Sequence, residues 1–123
     1  MGDRANVVVQ SRGKRVYLYT HWRGYDLPSI LQDALKRGRS RWDDAPYLAR
    51  IIFQDMVGNN QETTGFGISA ELGDNEYSLL VCDTDSKLVK IETEGTGAVT
   101  KTYTMRQYVE ELKAPVLWEH IAD

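Results

Sequence analysis

The chain has 123 residues, 41% of them apolar and 27% charged, which suits one soluble globular domain (residues 1–123) with a core that needs no staples. The single cysteine, Cys82, excludes an internal disulfide framework, and no run approaches the ~18 apolar residues of a membrane helix. Net charge is −3 but uneven: residues 1–50 hold ten Lys and Arg against five Asp and Glu, and residues 51–123 hold five against thirteen.

In chain order, "ANVVVQ" (5–10) predicts a strand buried on both faces, and "SRGK" (11–14) a turn. "RVYLYTHW" (15–22) is the second strand of a hairpin. Its alternation sends Val16, Leu18, Thr20 and Trp22 to one face and Tyr17, Tyr19 and His21 to the other. Asp26 is a candidate cap for a helix whose stripe is Leu27, Ile30, Leu31, Ala34 and Leu35, with Gly38 as its stop. Asp43 or Asp44 caps a second helix carrying Leu48, Ile51, Ile52 and Met56, ended by Gly58.

A polar loop follows. Then four short runs, "GFGISAEL", "EYSLLVCD", "KLVKIE" and "AVTKTY", are separated by turn residues and read as an antiparallel meander. Thr104 and Gln107 fit a capping box opening a third helix, limited by Pro115, after which "VLWEHIAD" forms a last turn or strand docking Trp118. The order β-β-α-α-β-β-β-β-α describes an α+β, two-layer sandwich: a mostly antiparallel sheet with about three helices.

Few residues suit catalysis or metal binding. His21 and His120 are the only histidines, and zinc spacings are missing. "DTDSKLVKIETE" fails as a calcium loop at Lys87 and Leu88, and the glycines of "GFGIS" lack the setting of a dinucleotide fingerprint. Cofactor, metal and catalytic residues are therefore expected to be none. Cys82 sits within "YSLLVC", as a buried small hydrophobe does. Alternating strand glycines mark close packing, or bare the backbone to a flat ligand.

Binding is better supported. Tyr17, Tyr19 and His21 make a row of rings with polar tips, and Trp22 and Arg23 follow directly. Arginine forks onto phosphate and stacks on bases, so Arg41 and Arg50 join the expected site, with Arg4, Arg12 and Arg15 as further basic neighbours. The expected ligand is small, anionic and nucleotide-like. Two features oppose this: Asp26 would repel a phosphate at the first helix, and a tyrosine row is also what a core face looks like.

The segments "RANVVV", "VYLYTHWRG", "RWDDAPYLARIIF", "GFGIS" and "GDNEYSLLVCD" together resemble short proteins encoded by bacteria and their phages, which have no assigned activity. By analogy with small phage-carried proteins, the resemblance implies an anti-defence role such as sequestering a nucleotide immune signal. It supplies no site residues.

Two other readings stay open. One is a protein-interaction module or homo-oligomer acting through strand edges. The other is a small hydrolase or phosphodiesterase using His21 with Asp26 or Asp83. The acidic balance and the lack of a recognition motif argue against nucleic acid as partner. The first ten residues are too short and polar for a secretory signal, so the expected location is the cytoplasm.

Overall fold

The computed structural model describes residues 2–112. Its elements are β1 (Ala5–Ser11), β2 (Lys14–Thr20), α1 (Leu27–Arg37), α2 (Ala45–Val57), β3 (Phe66–Ser69), β4 (Leu79–Asp83), β5 (Leu88–Glu92), β6 (Val99–Thr104) and α3 (Met105–Glu110). Short 3-10 turns at Gly24–Asp26 and Arg39–Arg41 lead into α1 and α2. The arrangement is the expected α+β one, with a six-stranded, mostly antiparallel sheet. Expectations for Pro115, Trp118 and His120 lie outside the described residues. No helix among the described residues is long and apolar enough to cross a membrane.

The sheet order is β3-β2-β1-β4-β5-β6. Among the described residues only the β1–β4 pair is parallel; the other four pairs are antiparallel. The expected four-strand meander is therefore three strands long, since β3 joins β2 and not β4. Burial explains this. β1 and β4 carry continuous apolar runs that need cover on both faces, so they take the centre and pair with each other. β3 is short and glycine-rich, and it occupies an edge.

The sheet's two faces differ. Val7, Val9, Leu18, Leu80, Cys82 and Val89 pack against Leu31, Leu35, Leu48, Ile52 and Tyr108 of the helical layer. On the other face Val8, Leu79 and Val81 form a smaller cluster with Tyr17 and Leu72. Loop 70–78 crosses this second face to connect β3 with β4. It is held there by Asn6 Nδ2, which donates to Asp74 O at 2.9 Å, and by an Arg4–Glu76 ion pair at 2.6 Å.

Local capping follows the sequence with one exception. Asp44 accepts from the Tyr47 N–H, and Thr104 and Gln107 form the full capping box. Asp26 precedes α1 but makes no side-chain cap, because its backbone (φ −90°, ψ −5°) is already helical. Asp3 secures that corner instead: its carboxylate accepts from the Tyr25 N–H at 2.8 Å and from the Tyr77 hydroxyl at 2.5 Å. Gly38 packs closely there, since a Cβ would lie 3.1 Å from Ala34 O and 3.2 Å from Ile51 Cδ1 of α2.

Candidate functional site

The helices cover Leu18 and Thr20, so Tyr17 and Tyr19 belong to the opposite face of β2. Tyr19 Oη lies 2.9 Å from His21 Nδ1, and the His21 N–H donates to Gly65 O at 2.8 Å. Burial raises the Tyr19 pKa, and the Asp74 carboxylate adds to this. Tyr17, Tyr19, Asn6, Gly67, Ser69, Glu71 and Asp74 line a cleft of about 220 Å³. Its lining charges are Glu71 and Asp74, the latter facing Arg4 at 3.7 Å, so an anion would meet acids on that wall.

β2 stops at Thr20, whose Oγ1 accepts from the Arg23 N–H at 3.1 Å. Trp22 therefore leaves the strand and lies over Gly65, edge-on to Phe66 with ring centroids 6.3 Å apart. Arg23 turns to the end of α2, donating to Asp55 O and to Met56 O at 3.0 Å. That geometry completes the helix terminus. Arg41 stands at the other end of α2, stacked 4.6 Å over Tyr47 and 3.7 Å from Asp44. Arg50 donates to Gln54 on the same helix. The 13 residues of α2 span roughly 20 Å. The structure thus brings Tyr17, Tyr19 and His21 together, while Arg23, Arg41 and Arg50 do not converge on them.

A larger cavity, about 890 Å³, opens between the β1–β2 hairpin end and the start of α2. Its floor is Val9, Val16, Ala45, Pro46 and Ala49, and its charged residues are Arg12, Lys14, Arg15, Asp43 and Asp44. The hairpin turn explains where its cations sit. Arg12 and Gly13 both have positive φ (54° and 76°), as a tight two-residue hairpin turn requires. Asp85 pins this turn through the Arg12 N–H at 2.6 Å and the Ser11 hydroxyl at 3.2 Å. Among the described residues, neither the Arg12 nor the Lys14 side chain makes an ion pair. Arg15 differs. Its guanidinium crosses to Glu92 at 2.6 Å and Gln10 at 2.7 Å, and the hydrogen bond to Glu92 raises its pKa above the ordinary arginine value. Asp44 caps α2 and faces Arg41, which places Arg41 beside this cavity.

His21 and Asp83, a candidate acid-base pair, lie apart. The His21 ring is hydrogen-bonded to a tyrosine and, among the described residues, to no acid. Asp83 is paired with Gln10 near the far end of β1, five residues from the Ala5–Thr20 pair beside His21, or roughly 17 Å. Cys82 is fully buried, and burial pushes its thiol up to about 12. Among the described residues, no three His, Cys, Asp or Glu side chains cluster as metal ligands would.

Arg12 and Lys14 carry a signal in the sequence only as cations flanking a turn glycine; their approach to α2, some thirty residues away, is tertiary. No family model matches the sequence, and no curated protein or solved structure matches it significantly.

Proposed function

We propose that the protein binds, without turnover, a small anionic ligand of nucleotide size in the cavity between the β1–β2 hairpin and α2. The observation that carries this reading is a cavity of about 890 Å³ with an apolar floor, edged by Arg12 and Lys14, two cations that make no ion pair among the described residues. Pockets for small ligands typically hold ~300–1,000 Å³ and combine an apolar lining with a few polar groups. Arg12 suits a phosphate, which its guanidinium can grip with two parallel bonds. Val9, Val16 and Ala49 offer apolar contact to a base. Asp43 would repel the phosphate but can accept from a sugar hydroxyl, which orients the ligand along the groove.

Turnover is left out because His21 lies at the opposite end of β2 from this cavity. Sequestration of a nucleotide immune signal in a bacterial cytoplasm is the role this reading assigns.

Thermal unfolding with ATP, ADP-ribose and cyclic dinucleotides tests it. A ligand at one hundred times its Kd adds about 2.7 kcal/mol of stability, a shift of several degrees for a chain this size. Replacing Arg12 and Lys14 with alanine should abolish the shift while leaving the unliganded midpoint unchanged, and Tyr19→Phe should keep it. No stabilisation by any member of the panel contradicts the reading.

A further inference from the structure

β3 is an edge strand that lacks the usual protection. Among the described residues it pairs on one side only, with β2. Its sequence, FGIS, has no charge and no proline, and its pairing has no bulge. The opposite edge, β6, is guarded by Lys101 and by a register shift opposite Ile91 and Glu92. The two sides of β3 also differ. On the helix side, the layer that buries Leu18 does not reach its partner Ile68, which is 62% exposed, beside Phe66 and a Trp22 that is 47% exposed. On the other side, Gly67 is paired with Tyr19 above the acidic cleft.

Gly67 has no structural need to be glycine. Its φ lies outside the left-handed region, and a Cβ there would meet nothing within 4 Å. Its effect is to leave Tyr19 uncovered from the edge. The surrounding segment, residues 58–79, holds Glu62, Glu71, Asp74 and Glu76 and no Lys or Arg; Arg4 pairs with Asp74 at 3.7 Å and Glu76 at 2.6 Å, while Glu62 and Glu71 make no ion pair among the described residues.

We infer that the free edge of β3 accepts an extended segment of a partner protein, with alternating basic and apolar residues, as a seventh strand. Main-chain hydrogen bonds to β3 supply affinity, and alternate side chains supply specificity. The basic side chains lie over Gly67 towards Tyr17, Tyr19, Glu71 and Asp74. The apolar ones meet Ile68, Phe66 and Trp22. Charge disfavours a second copy as the occupant: two β3 strands paired antiparallel would set the Glu71 and Asp74 loop of one chain against Glu62 of the other.

Fluorescence anisotropy with the full chain tests this, using a labelled (Lys-Val)3 peptide against (Glu-Val)3 and (Lys-Pro)3. The glutamate peptide reverses the charge, and the proline peptide removes strand donors while keeping charge. Each should bind at least about tenfold more weakly, a difference of ~1.4 kcal/mol. Gly67→Val should weaken (Lys-Val)3 binding by a similar factor with an unchanged or higher melting midpoint. Glu71→Gln with Asp74→Asn should weaken it without closing the edge. Gly67→Ala provides a milder variant should valine perturb the fold. Equal binding of the three peptides would overturn the inference, as would a Gly67→Val protein that binds normally. A dimer in light scattering that Gly67→Val dissociates would overturn it in favour of self-pairing.

Discussion

Asp83 ends β4 with its carboxylate almost fully committed. Oδ1 accepts from the Asp85 and Ser86 N–H groups at 3.0 and 3.3 Å, and Oδ2 faces Lys90 Nζ at 3.4 Å. Burial pushes its pKa up, but the Ser86 N–H, Lys90 and the Asp85 N–H outweigh burial and hold it below the ordinary value. A depressed folded pKa means that this stabilisation is complete above the unfolded value, near ~3.9, and declines as pH falls through the folded one. Asp83→Asn keeps an acceptor for the turn but loses the charge opposite Lys90. It should cost about 1–2 kcal/mol at pH 7 in urea unfolding, and clearly less at pH 3. An equal cost at both pH values would show that the charge is irrelevant. Arg23→Ala removes the donor to the Asp55 and Met56 carbonyls and should cost about 1–2 kcal/mol in the same measurement, independent of nucleotide. A large effect on ligand response with no effect on stability would instead return Arg23 to a binding role.

At the scale of elements, the corner where β2 gives way to the first turn depends on Gly65 under Trp22. Gly65 has φ +95°, and a Cβ there would sit 2.0 Å from Trp22 Cζ3. Gly65→Ala should destabilise the fold by about 2–3 kcal/mol and displace the indole, read as a shift in tryptophan emission. Unchanged stability and emission would mean that the ring is free to move. The elements themselves are largely legible in the sequence, because helix periodicity, Asp44 and the Thr104–Gln107 box are local signals. What the sequence hides is pairing. β1 and β4 show the same apolar character that any central strand shows, and nothing local says that they run parallel or that β3 returns to β2. The end of β2 is hidden for a similar reason. Alternation continues through Trp22, but the Thr20 hydroxyl takes the Arg23 N–H and turns the chain.

For the whole molecule, the contrast between a basic first half and an acidic second half largely resolves in space. Arg4–Glu76, Arg15–Glu92 and Arg39–Glu110 each join one half to the other. The basic excess is therefore a poor guide to a binding surface taken residue by residue. Arg15 is spent on Glu92, and Arg23 on the end of α2. Arg12 and Lys14 keep their charge for solvent or a ligand because Asp85 holds the hairpin turn through the Arg12 N–H and the Ser11 hydroxyl, and neither cationic side chain is used. The tyrosine row was legible as one face of a strand. Its acidic surroundings were not, since loop 70–78 reaches that face only through the β3–β4 crossover. The proposed binding site for the anionic ligand is the hairpin–α2 cavity. Amide chemical-shift mapping during titration with ADP-ribose or a cyclic dinucleotide tests it most directly. The predicted result is saturable shifts at residues 11–16 and 43–49 with residues 66–69 unmoved; no shifts, or shifts centred on the Tyr17–Tyr19 cleft, would contradict it.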